Sequence, residues 1–240
     1  MAAWVRGLVL VIFTYGLMAV MGLALAPAAA LGPRGTARWA VRRYCGIVLA
    51  AARAICGLRT EVRGTVPTGE VVVAAKHQSF LDIIILARVL PAPRFVMKKS
   101  LVWAPVLGFY ARRIGCVAID RAARGRALRQ MVRETAADRE AASQLVIYPQ
   151  GTRVPPGADM PYKAGAAALC EALGAPCVPA ATNAGLFWPR KGIARFPGTA
   201  VVEFLAPIPP GLDSATLTGR LRREVEAASD RLMAEAGRGR

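Results

Sequence analysis

Residues 70–86 read EVVVAAKHQSFLDIIIL, and the way this stretch folds decides the architecture. Val71-Val72-Val73-Ala74-Ala75 is β-branched and apolar without alternation, the pattern of a short strand covered on both faces. Ser79 then offers an N-cap, and the apolar run from Phe80 through Ile83-Ile84-Ile85-Leu86 reads as a helix that reaches Val89. Between strand and helix stands His77, the only histidine in 240 residues, and Asp82 falls in the first turn of the helix.

The same alternation continues along the chain. Glu70–Lys76, Arg94–Lys98, Cys116–Asp120, Gln144–Tyr148, Cys177–Thr182 and Ala200–Leu205 are expected strands. Phe80–Val89, Pro105–Arg113, Arg124–Ala142, Lys163–Leu173 and the Arg- and Glu-rich Ser214–Ala236 are expected helices. Continuous apolar strands separated by helices imply an α/β fold with a mixed, largely parallel sheet flanked by helices. Residues 61–240 are expected to form this domain and residues 1–60 an N-terminal, membrane-anchoring helical segment. Val154–Pro161 is expected to be a surface loop, and no internal repeat or low-complexity linker is present.

The N-terminal expectation rests on charge. Nothing charged occurs from Gly7 to Pro33, and Gly7–Ala26 as a helix would extend about 30 Å, the thickness of a bilayer core. A cleaved signal is the competing reading, since Ala28-Ala29-Ala30 imitates a cleavage site, although the run exceeds the roughly 7–15 residues of a signal core. Arg34, Arg38, Arg42, Arg43 and Arg53 follow the run and only Arg6 precedes it, which places the downstream part on the cytoplasmic side if the segment spans. Ala37–Leu58 reads as a helix with arginines among apolar residues, suited either to a membrane interface or to packing on the domain. The formal charge of +17 attracts phosphates, and an apolar content of 55% favours an anionic membrane surface over nucleic acid as the partner. Five cysteines without a C-x-x-C pair, most of them in apolar surroundings, indicate reduced buried thiols, and with one histidine a zinc site is not expected.

A strand end followed by a helix start can fold Asp82 back onto His77. A carboxylate that accepts from one ring nitrogen fixes the tautomer and makes the other a stronger base, able to take a proton from a hydroxyl. A buried histidine satisfied by a capping carboxylate is the bland alternative. Three more polar clusters fall at strand ends, where open α/β sheets carry their sites: GCVAIDR with Arg121, YPQGTR with Gly151, Thr152 and Arg153, and VPAATN with Pro179. Arginine beside a glycine turn suits a phosphate.

In that order these segments resemble the 1-acyl-sn-glycerol-3-phosphate acyltransferase family of glycerolipid acyltransferases. HQSFLD resembles its catalytic block, KKSLVWAPVLG the segment that follows, GCVAIDR the second block, YPQGTR the third and VPAATN the fourth, so the resemblance runs from about Val71 to Asn183. It implies that His77 is the base and Asp82 its partner. It also implies that Lys99, Arg121, Gln150, Gly151, Thr152, Arg153 and Pro179 belong to substrate binding, with Arg121, Arg153 and Lys99 at the phosphate. The reaction implied is acylation of the sn-2 hydroxyl of a lysophospholipid, lysophosphatidic acid, with acyl-CoA or acyl-carrier protein as co-substrate and no metal or organic cofactor. The implied location is a membrane, with the catalytic domain on the cytoplasmic face of a bacterial inner membrane. Ser79 is not expected to be a nucleophile. Gln150 departs from the pattern, which normally has Glu; an amide keeps one acceptor oxygen, loses the charge and gains a donor. Another lyso-lipid acceptor such as a lyso-ornithine lipid, a lipid or thioester hydrolase, and a non-catalytic basic membrane-binding protein are the competing functions.

Overall fold

In the computed structural model, residues 1–120, 125–140 and 142–238 are described. Three helices open the chain: α1 (Ala2–Ala24), α2 (Ala26–Leu31) and α3 (Arg34–Cys56). Then follow β1 (Leu58–Arg63), β2 (Val71–Ala75), α4 (Phe80–Val89), β3 (Pro93–Lys98), α5 (Pro105–Arg113), β4 (Val117–Ile119), α6 (Gly125–Ala137), β5 (Gln144–Ile147), α7 (Gly165–Leu173), β6 (Cys177–Thr182), β7 (Gly198–Phe204) and α8 (Ser214–Arg238). The seven strands form one sheet in the order β1-β7-β6-β2-β5-β3-β4. All neighbours are parallel except β6 and β7. The sheet is mixed and largely parallel, as the strand and helix pattern predicts.

One strand was not expected. β1 (LRTEVR) is polar and only Leu58 in it is buried. It survives because it pairs with β7 over six registered positions, from Leu58 opposite Gly198 to Arg63 opposite Glu203. α3 stops at Gly57, whose φ of +67° is the left-handed cap conformation that glycine adopts without strain. The expected Arg124–Ala142 helix ends at Ala137 as α6.

The alternation of side chains along β2 and β5 divides the core in two. Val71, Val73 and Ala75 pack with Val146, α4 and α3, whereas Val72 and Ala74 pack with Leu145, Ile147, α7 and the start of α8. α1 is the one helix among the described residues long and apolar enough to cross a membrane. It is nevertheless docked along its length. Ala3 O accepts from Arg195 N, Gly7 abuts Ile193 O, Leu10 is wholly buried, Thr14 O accepts from Tyr44 Oη, and Gly22 O accepts from Tyr110 Oη. A Cβ at Gly7 or Gly22 would collide with Ile193 or Val106, so these glycines permit the close approach. The other side of α1 exposes Trp4, Ile12, Tyr15, Val20 and Leu23, an apolar surface of the kind that meets lipid, and Trp39 and Trp103 are exposed as well. Ion pairs of Arg34 with Asp138 and of Arg38 with Glu140 tie the start of α3 to the loop after α6.

Candidate active site

The turn from β2 into α4 is built by its own side chains. Ser79 Oγ caps α4 by accepting from Leu81 N (3.1 Å) and donates to Trp188 O (2.6 Å). Asp82 completes a capping box: its Oδ2 accepts from Gln78 N (2.9 Å) and Ser79 N (2.8 Å). The second carboxylate oxygen, Oδ1, lies 2.9 Å from His77 Nδ1. One carboxylate therefore starts the helix and orients the imidazole. With a carboxylate at Nδ1 the proton belongs on Nδ1, which leaves Nε2 as the basic nitrogen. Asp82 is 1% exposed, so little water competes for it.

Tyr148, at the end of β5, stacks on the His77 ring with centroids 4.0 Å apart and planes 20° from parallel. Burial, with the nearby Asp82 carboxylate, holds its phenol well above the usual range, so it stays protonated. The His77 carbonyl accepts from Val154 N (2.7 Å), and Gln78 Oε1 accepts from Gly185 N (3.0 Å). These bonds lash the His77 turn to the loop that carries Arg153 and to the loop after β6.

His77 forms part of the wall of an apolar cavity of about 240 Å³ between α1, α3, α4, β3 and α5. Met18, Tyr44, Ile84, Phe95, Tyr110 and Tyr148 contribute to the lining, and Lys98 is its one lysine. Cys45 and Cys116 also face it, but burial pushes their thiols up to about 12 and about 11, so neither is a thiolate nucleophile.

The other expected site residues divide. Gly151 occupies the turn after Tyr148 with φ +73°, its N–H donating to Tyr148 O (2.8 Å), and a Cβ there would lie 3.1 Å from Lys163 Nζ. Thr152 and Arg153 follow, both partly exposed, and Arg190 Nη1 donates to Arg153 O (2.7 Å). Val154, expected in a surface loop, is buried because its N–H serves His77. Lys99 is exposed in a single turn after β3 and does not line the cavity; its neighbour Lys98 does. Pro179 lies within β6 opposite Ala74, buried in the sheet, where its carbonyl accepts from Leu205 N (2.9 Å). Gln150 is 2% exposed and its amide points to α8, donating to Glu226 Oε1 and Met160 O, both at 3.4 Å. Arg121 lies outside the described residues.

Tyr148 and Lys98 were not picked out from sequence. Strand alternation carries the signal for Tyr148: two residues after Val146, it must share the face that His77 occupies. Lys98 and Lys99 are adjacent lysines, and only the end of β3 at Lys98 separates their directions.

The chain is similar to known acyltransferases in sequence and in fold. A family model described as Acyltransferase matches residues 59–183. The 1-acyl-sn-glycerol-3-phosphate acyltransferase of Pseudomonas aeruginosa is 30% identical over 204 residues, covering 84% of this chain and 79% of that one. The human 1-acyl-sn-glycerol-3-phosphate acyltransferase alpha is 32% identical over 180 residues, 70% of this chain and 63% of its own. The fold matches the crystal structure of the 1-acyl-sn-glycerophosphate (LPA) acyltransferase from Thermotoga maritima with a TM-score of 0.79 at 19% identity, over 97% of this chain and 98% of that chain.

Proposed function

The chain belongs to the acyltransferase family, and from its site we propose that it transfers an acyl group from a thioester to the sn-2 hydroxyl of 1-acyl-sn-glycerol 3-phosphate, releasing phosphatidic acid and the free thiol. One observation carries this reading: the imidazole held by Asp82 at 2.9 Å also forms part of an apolar cavity, so a base and a place for an acyl chain meet at one ring.

The acceptor oxygen attacks the thioester carbonyl while His77 Nε2 takes its proton. The C–O bond forms, the C–S bond breaks, and the imidazolium returns the proton to the leaving thiolate. The Asp82 carboxylate, 2.9 Å from Nδ1, stabilises the imidazolium through Nδ1–H. Ser79 is not the nucleophile, since its hydroxyl is committed to Leu81 N and Trp188 O. Arg153, beside the Gly151 turn, holds the phosphate with Thr152, and Lys98 offers a second cation at the cavity. Arg121 is assigned to the same phosphate by the resemblance alone. These steps use acyl-CoA or acyl-carrier protein as co-substrate and call on no further cofactor.

The exposed apolar side of α1 enters the membrane while its opposite side stays on the domain, so the site opens at the lipid surface. The arginines that follow, and the thioester donor, put the domain on the cytoplasmic face, at the inner membrane if the host is a bacterium. The charge of +17 draws the protein to anionic lipid.

The test is purified full-length protein in vesicles with labelled acyl thioester and a panel of lyso-lipids. Phosphatidic acid should be the main product, with little free fatty acid when acceptor is omitted. Activity on a phosphate-free lyso-lipid and none on lysophosphatidic acid would overturn the acceptor, and free fatty acid as the main product would overturn transfer.

A further inference from the structure

Lys76 and His77 are consecutive at the end of β2, so their side chains leave on opposite faces of the sheet. The Lys76 ammonium is buried, 2% exposed, and Nζ lies 2.6 Å from both carboxylate oxygens of Glu226 on α8. Tyr162 Oη donates to the same Glu226 Oε1 (2.9 Å), and so does the Gln150 amide (3.4 Å). One carboxylate thus gathers the residue before the proposed base, the turn that carries Gly151 and Arg153, and the segment after that turn. Nothing in the proposed acyl-transfer steps uses it.

We propose that Glu226 is a positioning residue: its carboxylate, anchored by Lys76, fixes the His77 turn and the Gln150 turn relative to each other, and it is the reason residue 150 is an amide. The geometry accounts for the departure at position 150. A glutamate there would set a second carboxylate against Glu226, whose ammonium partner at hydrogen-bond distance, Lys76, already bonds both of its oxygens. Glutamine instead donates, so the negative charge of this cluster stays one hydrogen bond away, on α8. The resemblance puts Gln150 in substrate binding; in the structure its amide donates to Glu226 Oε1 and Met160 O. Glu226 is visible in the sequence only as one acid in an Arg- and Glu-rich helix, which is why it escapes notice there.

This role rests on the acyltransferase reading for its kinetic test but not for its spectroscopic one. Because His77 is the only histidine, protein labelled with ¹⁵N-histidine gives one imidazole signal set, which reports tautomer and environment directly. In full-length protein, Glu226→Gln is expected to lower kcat/KM for acyl transfer at least about tenfold, mainly in kcat, and to shift the His77 ring resonances. The exchange variant Gln150→Glu/Glu226→Gln, which moves the carboxylate across the hydrogen bond, should recover most of both, and Gln150→Glu alone should not match wild type. Glu226→Gln strands a buried ammonium, so Lys76→Met/Glu226→Met provides an uncharged replacement of the pair, a type of change that buried ion pairs often tolerate. It should fold and still show the kcat loss and the altered imidazole signal. Unchanged kcat and unchanged histidine resonances in the folded double-Met protein would overturn the proposal, as would an exchange variant no better than Glu226→Gln. If wild type fails to acylate lysophosphatidic acid, the acceptor assignment falls while the histidine signal still decides the role of Glu226.

Discussion

The two faces of the central sheet treat charge in opposite ways. On the face covered by α3 and α4, an imidazole and a carboxylate stand beside an apolar cavity, and the imidazole has a nitrogen to spare. On the face covered by α7 and α8, a lysine and a glutamate are locked oxygen to nitrogen at 2.6 Å, with a tyrosine and a glutamine filling the remaining positions. The first arrangement leaves a ring nitrogen available at the cavity, and the second binds its ammonium to both oxygens of one carboxylate. Reactivity and rigidity are thereby assigned to neighbouring residues of one strand, separated by nothing more than the pleat.

If that division holds, damage to the first face should cost rate and damage to the second should cost stability as well. His77→Ala should reduce transfer by about 10²–10⁴-fold, while thermal unfolding shows the protein still folded, because Asp82 keeps its bonds to Gln78 N and Ser79 N. Transfer within a few-fold of wild type would remove the base assignment. Asp82→Asn should be nearly as severe in kcat, since an amide at Oδ1 no longer enforces the tautomer; a circular-dichroism melt should show a small loss from the weakened cap. Glu226→Ala should destabilise by about 2–3 kcal/mol in denaturant titration, below the fully buried value because Glu226 is itself about a quarter exposed. A stability equal to wild type would mean that Lys76 finds another partner. Arg153→Ala should raise the acceptor KM about 10–150-fold and leave the donor KM almost unchanged; equal effects on both substrates would move Arg153 out of the phosphate site. Smallest of all, Ser79→Ala should cost about 1 kcal/mol of stability through the lost cap. It should leave transfer detectable at a substantial fraction of wild type, and a loss as deep as that of His77→Ala would revive Ser79 as nucleophile.

Much of this was legible in the chain. The limits of α4 and α5 coincide with the sequence expectation, because Ser79, Pro105 and the apolar spacing act locally. The His77–Asp82 contact follows from a cap four residues long in reach, so local rules suffice there too. β1 was missed because its stability comes from β7, some 140 residues later, and its own residues are polar. The resemblance names Lys99, whereas Lys98 lines the cavity, and the Gln150 amide meets Glu226, because motif position says which loop a residue belongs to and not which way its side chain leaves. The cavity needed α1, α3 and α5 to meet, and Glu226 needed α8 to cross the strand ends; no short-range pattern encodes either. Seen from sequence, α1 was a helix suited to spanning, and only its contacts with Ile193, Val106 and Tyr110 reveal a helix held against the domain.

β2 is fourth of seven strands, with three on either side, whereas α3 enters the sheet through β1 at its very edge. Amide exchange should therefore be slowest in β2 and fastest toward β1 and the N-terminal helices. The turn that bears the histidine thus hangs from the last strand to let go.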